Sequence, residues 1–243
     1  MFRIPIVLLL SLILLGASVI RVGAAEKIPA YVAAAVADSG RPEADKERDA
    51  ARKPAETIAF VGIKPGDRVG ELLPGNGYFT RILAKVVGPS GHVYTFVPAG
   101  KMATGAEVLA ADKAYTNIST IEMPLTDIKA PEALDIVWTS QNYHDVHNNA
   151  AEINKAVFAA LKPGGIYLVL DHTAAAGATA DDMKKLHRID PALVKTEVLA
   201  AGFIFDGESN VLNRPEDNHT VVSHDPSMHD KTDQFIFKFH KPK

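Results

Sequence analysis

The sequence predicts a doubly wound α/β fold: a mainly parallel, seven-stranded sheet with one antiparallel strand, preceded by an N-terminal helical segment. Three observations carry this expectation. Short apolar runs alternate with amphipathic helical stretches from residue 68 onward, the pattern of strand–helix–strand units. A glycine-rich turn, Pro74-Gly75-Asn76-Gly77, stands between the first run and the first helix, where open α/β sheets bind ligands. The last two runs are joined by the polar, turn-rich segment 213–231, so they can pair antiparallel, whereas parallel neighbours need a crossover.

The elements follow in order. A leader helix is expected over 43–62, with Ala51, Ala55, Ile58 and Ala59 on one face and Pro42 at its first turn. Strands are expected over 68–73, 92–97, 118–123, 134–139, 166–170, 203–212 and 234–240. Phe79, Ile82, Leu83, Val86 and Val87 mark a helix that stops at Gly88-Pro89. Ala150, Ile153, Val157, Ala160 and Leu161 line another, ending at Pro163-Gly164-Gly165. Asp190 caps a third that begins at Pro191. Residues 174–178 read as a flexible loop. One domain is expected over 26–243, with 26–62 as its helical leader.

Composition narrows the function classes. The 243 residues carry a net charge of −3 with scattered basic groups, which argues against a nucleic-acid partner. The absence of cysteine excludes disulfides, thiolate chemistry and Cys-based zinc sites. At the N-terminus, Arg3 precedes the apolar run 4–20, and Gly23-Ala24-Ala25 follows. Residues 1–25 therefore read as an export signal cleaved after Ala25, or as an uncleaved anchor. Both readings put the folded part outside the cytoplasm, in the periplasm of a two-membrane cell, with no stable membrane contact if the signal is cleaved.

Within 69–80, Glu71 precedes Gly75 and Gly77 by spacings suited to a ligand cradle. Glycines let the backbone approach the ligand, and the acid can hold one of its polar groups. The segment resembles the first motif of class I S-adenosylmethionine (SAM)-dependent methyltransferases, with Leu73 at the first of the usual three glycines. Leu134-Asp135-Ile136-Val137 resembles the family's fourth-strand motif, and Leu161-Lys162-Pro163-Gly164-Gly165 the turn before its fifth strand. More narrowly, the chain is similar to a group of exported methyltransferases that share Asp49-x-x-Arg52-x-Pro54, Tyr143-His144-Asp145, Asp171-His172 and Leu186-His187-Arg188-Ile189-Asp190. The resemblance spans about residues 41–243. It implies a Rossmann-like sheet, SAM as cofactor, and cofactor contacts at Glu71, Pro74, Gly75, Asn76, Gly77, Tyr78 and Glu122. The acid that many relatives carry at the end of the second strand is missing, because that strand ends Phe96-Val97-Pro98; Asp127 is a weaker substitute.

A second group of residues follows strands four and five. His144, Asp145 and His147 come after the fourth, and Asp171 and His172 end the fifth, with His187, Arg188 and Asp190 beyond. In a doubly wound sheet these strand ends share a rim with the glycine turn. His144, Asp145, His172 and His187 are the candidate catalytic residues, acting as general base or orienting groups for a small-molecule methyl acceptor. The same four suit a divalent metal, although their spacing matches no standard metal motif and no metal ligand is assigned. His219, His224 and His229 read as solvated loop residues. Asp49 and Arg52, three apart on the leader helix, are placed to pair. The alternatives to a methyltransferase are a non-catalytic ligand-binding descendant of the fold and a metal-dependent enzyme using the His/Asp rim. A nicotinamide dehydrogenase is disfavoured, because the full dinucleotide fingerprint is missing.

Overall fold

Buried strands and amphipathic helices alternate to build one seven-stranded sheet in the computed structural model, which describes residues 27–243. The export-signal reading of residues 1–25 lies outside the described residues. The leader holds α1 (Ala30–Val36), α2 (Glu43–Lys46), α3 (Asp49–Arg52) and α4 (Pro54–Val61). The single helix expected over 43–62 is therefore three pieces. Lys53, between α3 and α4, takes a left-handed φ of 47°. Pro54 disfavours helical backbone at the residue before it and starts α4 without needing its missing N–H.

The alternating part follows as β1 (Arg68–Leu72), α5 (Tyr78–Val87), β2 (His92–Val97), α6 (Lys101–Ala110) and β3 (Ile118–Glu122). Then come β4 (Leu134–Ser140), α7 (Tyr143–Val146), α8 (Ala150–Ala160), β5 (Leu161–His172), α9 (Ala180–Leu186), α10 (Pro191–Ala200), β6 (Ile204–Ser209) and β7 (Gln234–His240). Helices α1, α6, α7 and α9 are not expected from the sequence. Strand β5 is longer than 166–170, because Leu161 already pairs with Leu134 across a register shift. Strand β6 is shorter than 203–212 and interrupted by a register shift between Phe205 and Gly207. The segment expected to be a flexible loop is tied down: Ala174 is buried, and its N–H donates to the Ile189 carbonyl at 2.9 Å.

The strand order is β3-β2-β1-β4-β5-β7-β6. Neighbours from β3 to β5 are parallel, and β7 runs antiparallel to both β5 and β6. The chain reverses direction across the sheet between β1 and β4, so their carboxyl ends flank the crevice where such sheets take ligands. Alternation along each strand splits the core into two layers. Val69, Trp138, Leu168 and Ile236 pack with Ile82 and Leu83 of α5 and with Ile58 of α4. Val137, Tyr167, Val169 and Phe237 pack on the other face with Ile153 and Val157 of α8 and Val194 of α10. Among the described residues, no helix is long and apolar enough to cross a membrane.

Candidate functional site

The turn after β1 is built from left-handed backbone. Leu73, Gly75 and Gly77 have φ of 52°, 56° and 79°. A left-handed Leu costs roughly 1–3 kcal/mol unless its surroundings fix it. Two contacts do so here: the Leu73 side chain is buried in the α8–α10 face of the core, and its N–H donates to the Phe96 carbonyl at 3.0 Å. Asn142, just past β4, donates to the carbonyls of Leu72 and Leu73 at 3.1 and 3.2 Å, and its own Oδ1 accepts from Thr139. An Asn beyond one strand thus holds the turn beyond its neighbour. The two glycines differ in purpose. A Cβ on Gly77 would meet Leu109 of α6 at 2.3 Å, whereas a Cβ on Gly75 would meet nothing within 4 Å. Gly77 serves packing, and Gly75 borders open space.

Glu71 is 2% exposed, and its Oε2 has no hydrogen-bond partner. Burial pushes its carboxyl up to about 7, against the pull of the Thr80 hydroxyl and the Arg52 charge. Pro74 is half-buried and Asn76 exposed, with the Asn76 carbonyl accepting from Arg81 at 2.8 Å. Tyr78 is buried, and its hydroxyl donates to Asp49 at 2.6 Å, so the leader occupies its polar end. Glu122 stands exposed at the end of β3, opposite Val97, and Asp127 pairs with Lys129 at 2.7 Å.

The leader closes over α5. Asp49 accepts two bonds from Arg41, both 2.7 Å, and Asp45 pairs with Arg81 at 3.2 Å. The expected Asp49–Arg52 pair does not form. Arg52 instead donates to Gln141, with its guanidinium 4.3 Å from the Tyr78 ring centre and 5.3 Å from that of Phe79. The turn at Lys53-Pro54 and the short span of α3 send the two side chains to different partners. Burial, followed by the Arg48 charge, lowers the Arg52 pKa to about 10. Among the described residues Arg52 has no carboxylate within ion-pair distance.

Across the crevice, Asp171 is fully buried at the end of β5. It accepts from the backbone N–H groups of His144 and His172 at 2.8 and 2.7 Å, and from His144 Nδ1 at 2.8 Å. Burial acts to raise the Asp171 carboxyl, but the neighbouring His144 and these donors hold it below the usual carboxylate range. Burial likewise opposes the His144 cation, yet Asp171, with a smaller part from Asp145, raises its pKa. His172 goes the other way: burial takes it down to about 4, and its Nδ1 lies 2.8 Å from the Thr232 hydroxyl. His187 reaches Asp145 Oδ1 at 3.4 Å, and His144 Nε2 lies 3.5 Å from the same oxygen. A bridge of Gln141, Gln234 and Thr232, with links of 3.1 Å each, connects Arg52 to His172.

The fold therefore brings His144, Asp145, Asp171, His172 and His187 together. It does not include His147, which turns to Glu197 at 3.6 Å, or Asp190, which caps α10 through the Ala192 N–H at 2.8 Å. Arg188 is wholly buried against Asp217 and fastens the 213–233 loop. His224 and His229 are exposed as expected, although His224 packs edge-on against His187 and His229 pairs with Asp230. His219 is not freely solvated, because it pairs with Asp233 at 3.1 Å. Sequence reasoning missed Asn142, Gln141 and the placement of Arg52. Only Arg52 carried a signal, the shared Asp49-x-x-Arg52-x-Pro54 pattern. A surface depression lined by Gly62, Lys64, Asp67, Asp135 and Lys162 lies at the opposite, amino end of the strands.

A sheet of this order, with a glycine turn at the β1–β4 crevice, is the fold shared by solved SAM-dependent methyltransferases. Residues 71–169 match the family model described as a methyltransferase domain. The ubiquinone/menaquinone biosynthesis C-methyltransferase UbiE of Pseudomonas paraeruginosa is 29% identical over 117 residues, covering 47% of this chain and 45% of that protein. The protein-L-isoaspartate O-methyltransferase of Ignicoccus hospitalis is 34% identical over 67 residues, covering 28% of this chain and 32% of its own. The chain thus spans about half, or less, of these relatives' length. A SAM-dependent methyltransferase from Aquifex aeolicus shares the fold with a TM-score of 0.59 at 15% identity, over 79% of this chain and 97% of that one. Haemonchus contortus phosphoethanolamine N-methyltransferase 2, solved with SAM, gives 0.60 at 15% identity, over 79% and 53%. The [4+2]-cyclase SpnF gives 0.61 at 16% identity, over 84% of each chain.

Proposed function

We propose that the protein is a SAM-dependent methyltransferase acting on a small molecule outside the cytoplasm. One observation carries the reading: a buried acid with an orphaned oxygen, Glu71, stands at the β1–β4 crevice next to a glycine, Gly75, that borders open space. That pair fits the cofactor's needs of a hydrogen-bond acceptor and a close backbone approach. When bound, SAM supplies an activated methyl group for in-line displacement by the acceptor. The chain's own work is then to hold both reactants in line, which is where much of such catalysis lies. Glu71 accepts from a polar, preferably cationic, group of the cofactor. Arg52, a half-buried cation without a carboxylate partner among the described residues, receives its carboxylate. Asn142 keeps the turn in register while the leader excludes water above Tyr78. His144, Asp145, His172 and His187 form the acceptor side, and His172 stays neutral at working pH.

The name of the UbiE relatives supports a small-molecule acceptor, and the 4–25 segment supports export. Calorimetry of the full chain with SAM tests the reading. Saturable binding is expected, weakened at least tenfold by Gly75→Leu, whose left-handed backbone also lowers stability by roughly 1–3 kcal/mol, so binding is compared well below the variant's melting temperature. No binding heat at millimolar SAM would refute it. A second reading, a ligand-binding protein without transfer activity, is favoured by the missing acid after β2, where Val97 and Pro98 stand. It predicts SAM binding without product from any acceptor set. Fractionation of the producing cells, with N-terminal sequencing of the mature chain, tests the location. Recovery in the cytoplasm with residues 1–25 intact would refute export.

A further inference from the structure

We propose that His144, Asp145 and His187 form a binding site for a divalent transition metal of the zinc type, with at least one coordination position left open. One ligand atom from each of the three lies within 4.8 Å of the others. Asp145 Oδ1 stands 3.5 Å from His144 Nε2 and 3.4 Å from His187 Nδ1. Those separations are too long for good hydrogen bonds. These two separations match edges of a tetrahedron with bonds of about 2.0–2.2 Å, whose ligand atoms stand roughly 3.3–3.6 Å apart.

The histidine chemistry points the same way. His144 Nδ1 faces the buried Asp171 carboxylate at 2.8 Å. An ionised carboxylate only accepts, so Nδ1 carries the hydrogen and Nε2, on the Asp145 side, keeps its lone pair. A carboxylate behind one ring nitrogen and a metal before the other is the usual support of a metal-bound histidine. The His144 side chain is only 6% exposed, so the ring is fixed before any ion arrives.

His187 is placed with equal care. It ends α9 with a left-handed φ of 48°, a conformation rare for a bulky residue. The next residue, Arg188, is locked to Asp217, Thr173 and Val221, which anchors the backbone beside His187. That ring meets the His144 ring edge-on, with centroids 5.5 Å apart.

Two imidazoles and one carboxylate suit zinc, cobalt, nickel or ferrous iron rather than calcium or magnesium. Three protein ligands leave room for a water or a substrate oxygen, the composition of a reactive rather than a purely structural site. The site itself does not depend on the methyl-transfer reading; only a role in holding the acceptor rests on it.

The test uses the full chain without a histidine tag, stripped with chelator and titrated with Co²⁺ in the absence of SAM. Visible d–d bands at one equivalent per chain, abolished by one equivalent of Zn²⁺, are expected. Asp145→Asn and His187→Asn should each weaken Co²⁺ binding at least tenfold, while His229→Ala leaves it unchanged. Asn is chosen at 187 because it tolerates left-handed backbone. Asp145 is half-exposed, so its variant carries the test if the other fails to fold. Wild-type protein that binds no Co²⁺ or Zn²⁺ at tenfold excess would overturn the proposal. So would binding undiminished in the Asp145→Asn variant. SAM binding measured on the stripped protein tests the methyl-transfer reading separately.

Discussion

Glu71 and Asp171 are both buried carboxyl groups at the carboxyl end of the same sheet, one on each side of the crevice, and they behave in opposite ways. Glu71 keeps an oxygen without a partner and is pushed up to about 7. Asp171 receives two backbone N–H groups and an imidazole and is held below the usual range. Burial raises both; the charge of His144, followed by the hydrogen bonds it donates, decides the outcome at Asp171. Asp171 is therefore a finished structural charge. Glu71 is left with an unpaired oxygen, the feature on which the proposed cofactor contact rests.

Variants should break this comparison in a definite order. The largest effect is expected from Asp171→Ala, which strands the donors of His144 and His172. Removing one partner of a buried charged pair costs about 3–5 kcal/mol. Urea unfolding at pH 7 checks it, and a loss below about 1 kcal/mol would show that the rim does not depend on Asp171.

Glu71→Gln comes next, with the opposite sign. The folded protein holds the Glu71 proton up to about pH 7, whereas the unfolded chain releases it near the ordinary value of 4.5. The folded state binds more protons in that window, so wild-type stability falls as pH rises from about 4.5 to 7 and is flat above it. The neutral variant escapes this loss. At pH 8 it should be more stable than wild type by up to about 3 kcal/mol, at roughly 1.4 kcal/mol per pH unit. Melting temperatures that coincide at pH 4.5 and diverge toward pH 7 are the expected pattern.

Asn142→Ala removes the clamp between the two sides. It should cost about 1–2 kcal/mol and weaken SAM binding more than it weakens the fold, because it frees the turn at Leu73. Chemical denaturation and calorimetry on the same sample separate the two effects. The smallest change is expected from Tyr78→Phe, which loses one bond to the partly exposed Asp49. It should cost about 1 kcal/mol or less and appear mainly as faster proteolysis within α2 and α3.

Legibility followed the same division. The β1 side is local: acid, turn and helix lie within ten residues, so Glu71, Gly75 and Gly77 could be read together. Strands β2 and β7 were also legible to their ends, because apolar runs bounded by turns mark buried strands wherever they pair. The leader was misread although its signal was present, since Pro54 disfavours a helix through Lys53. The rim is assembled from 140–146, 171–172, 187–188 and 217–234, and only the fold sets those distances. Residue types were visible there, but not that Asn142 would reach back to Leu73, or that Arg52 would leave Asp49 for Gln141.

On the proposed reading, Glu71 accepts from the ammonium group of the bound cofactor. Calorimetric titration with S-adenosylhomocysteine at pH 6.5, in two buffers of different ionisation enthalpy, tests it most directly. Binding of one ligand per chain should release a fraction of a proton, because the ligand's ammonium lowers the Glu71 pKa, and Glu71→Gln should abolish that release. Binding whose proton count is zero in wild type, or is unchanged by the substitution, would contradict the account.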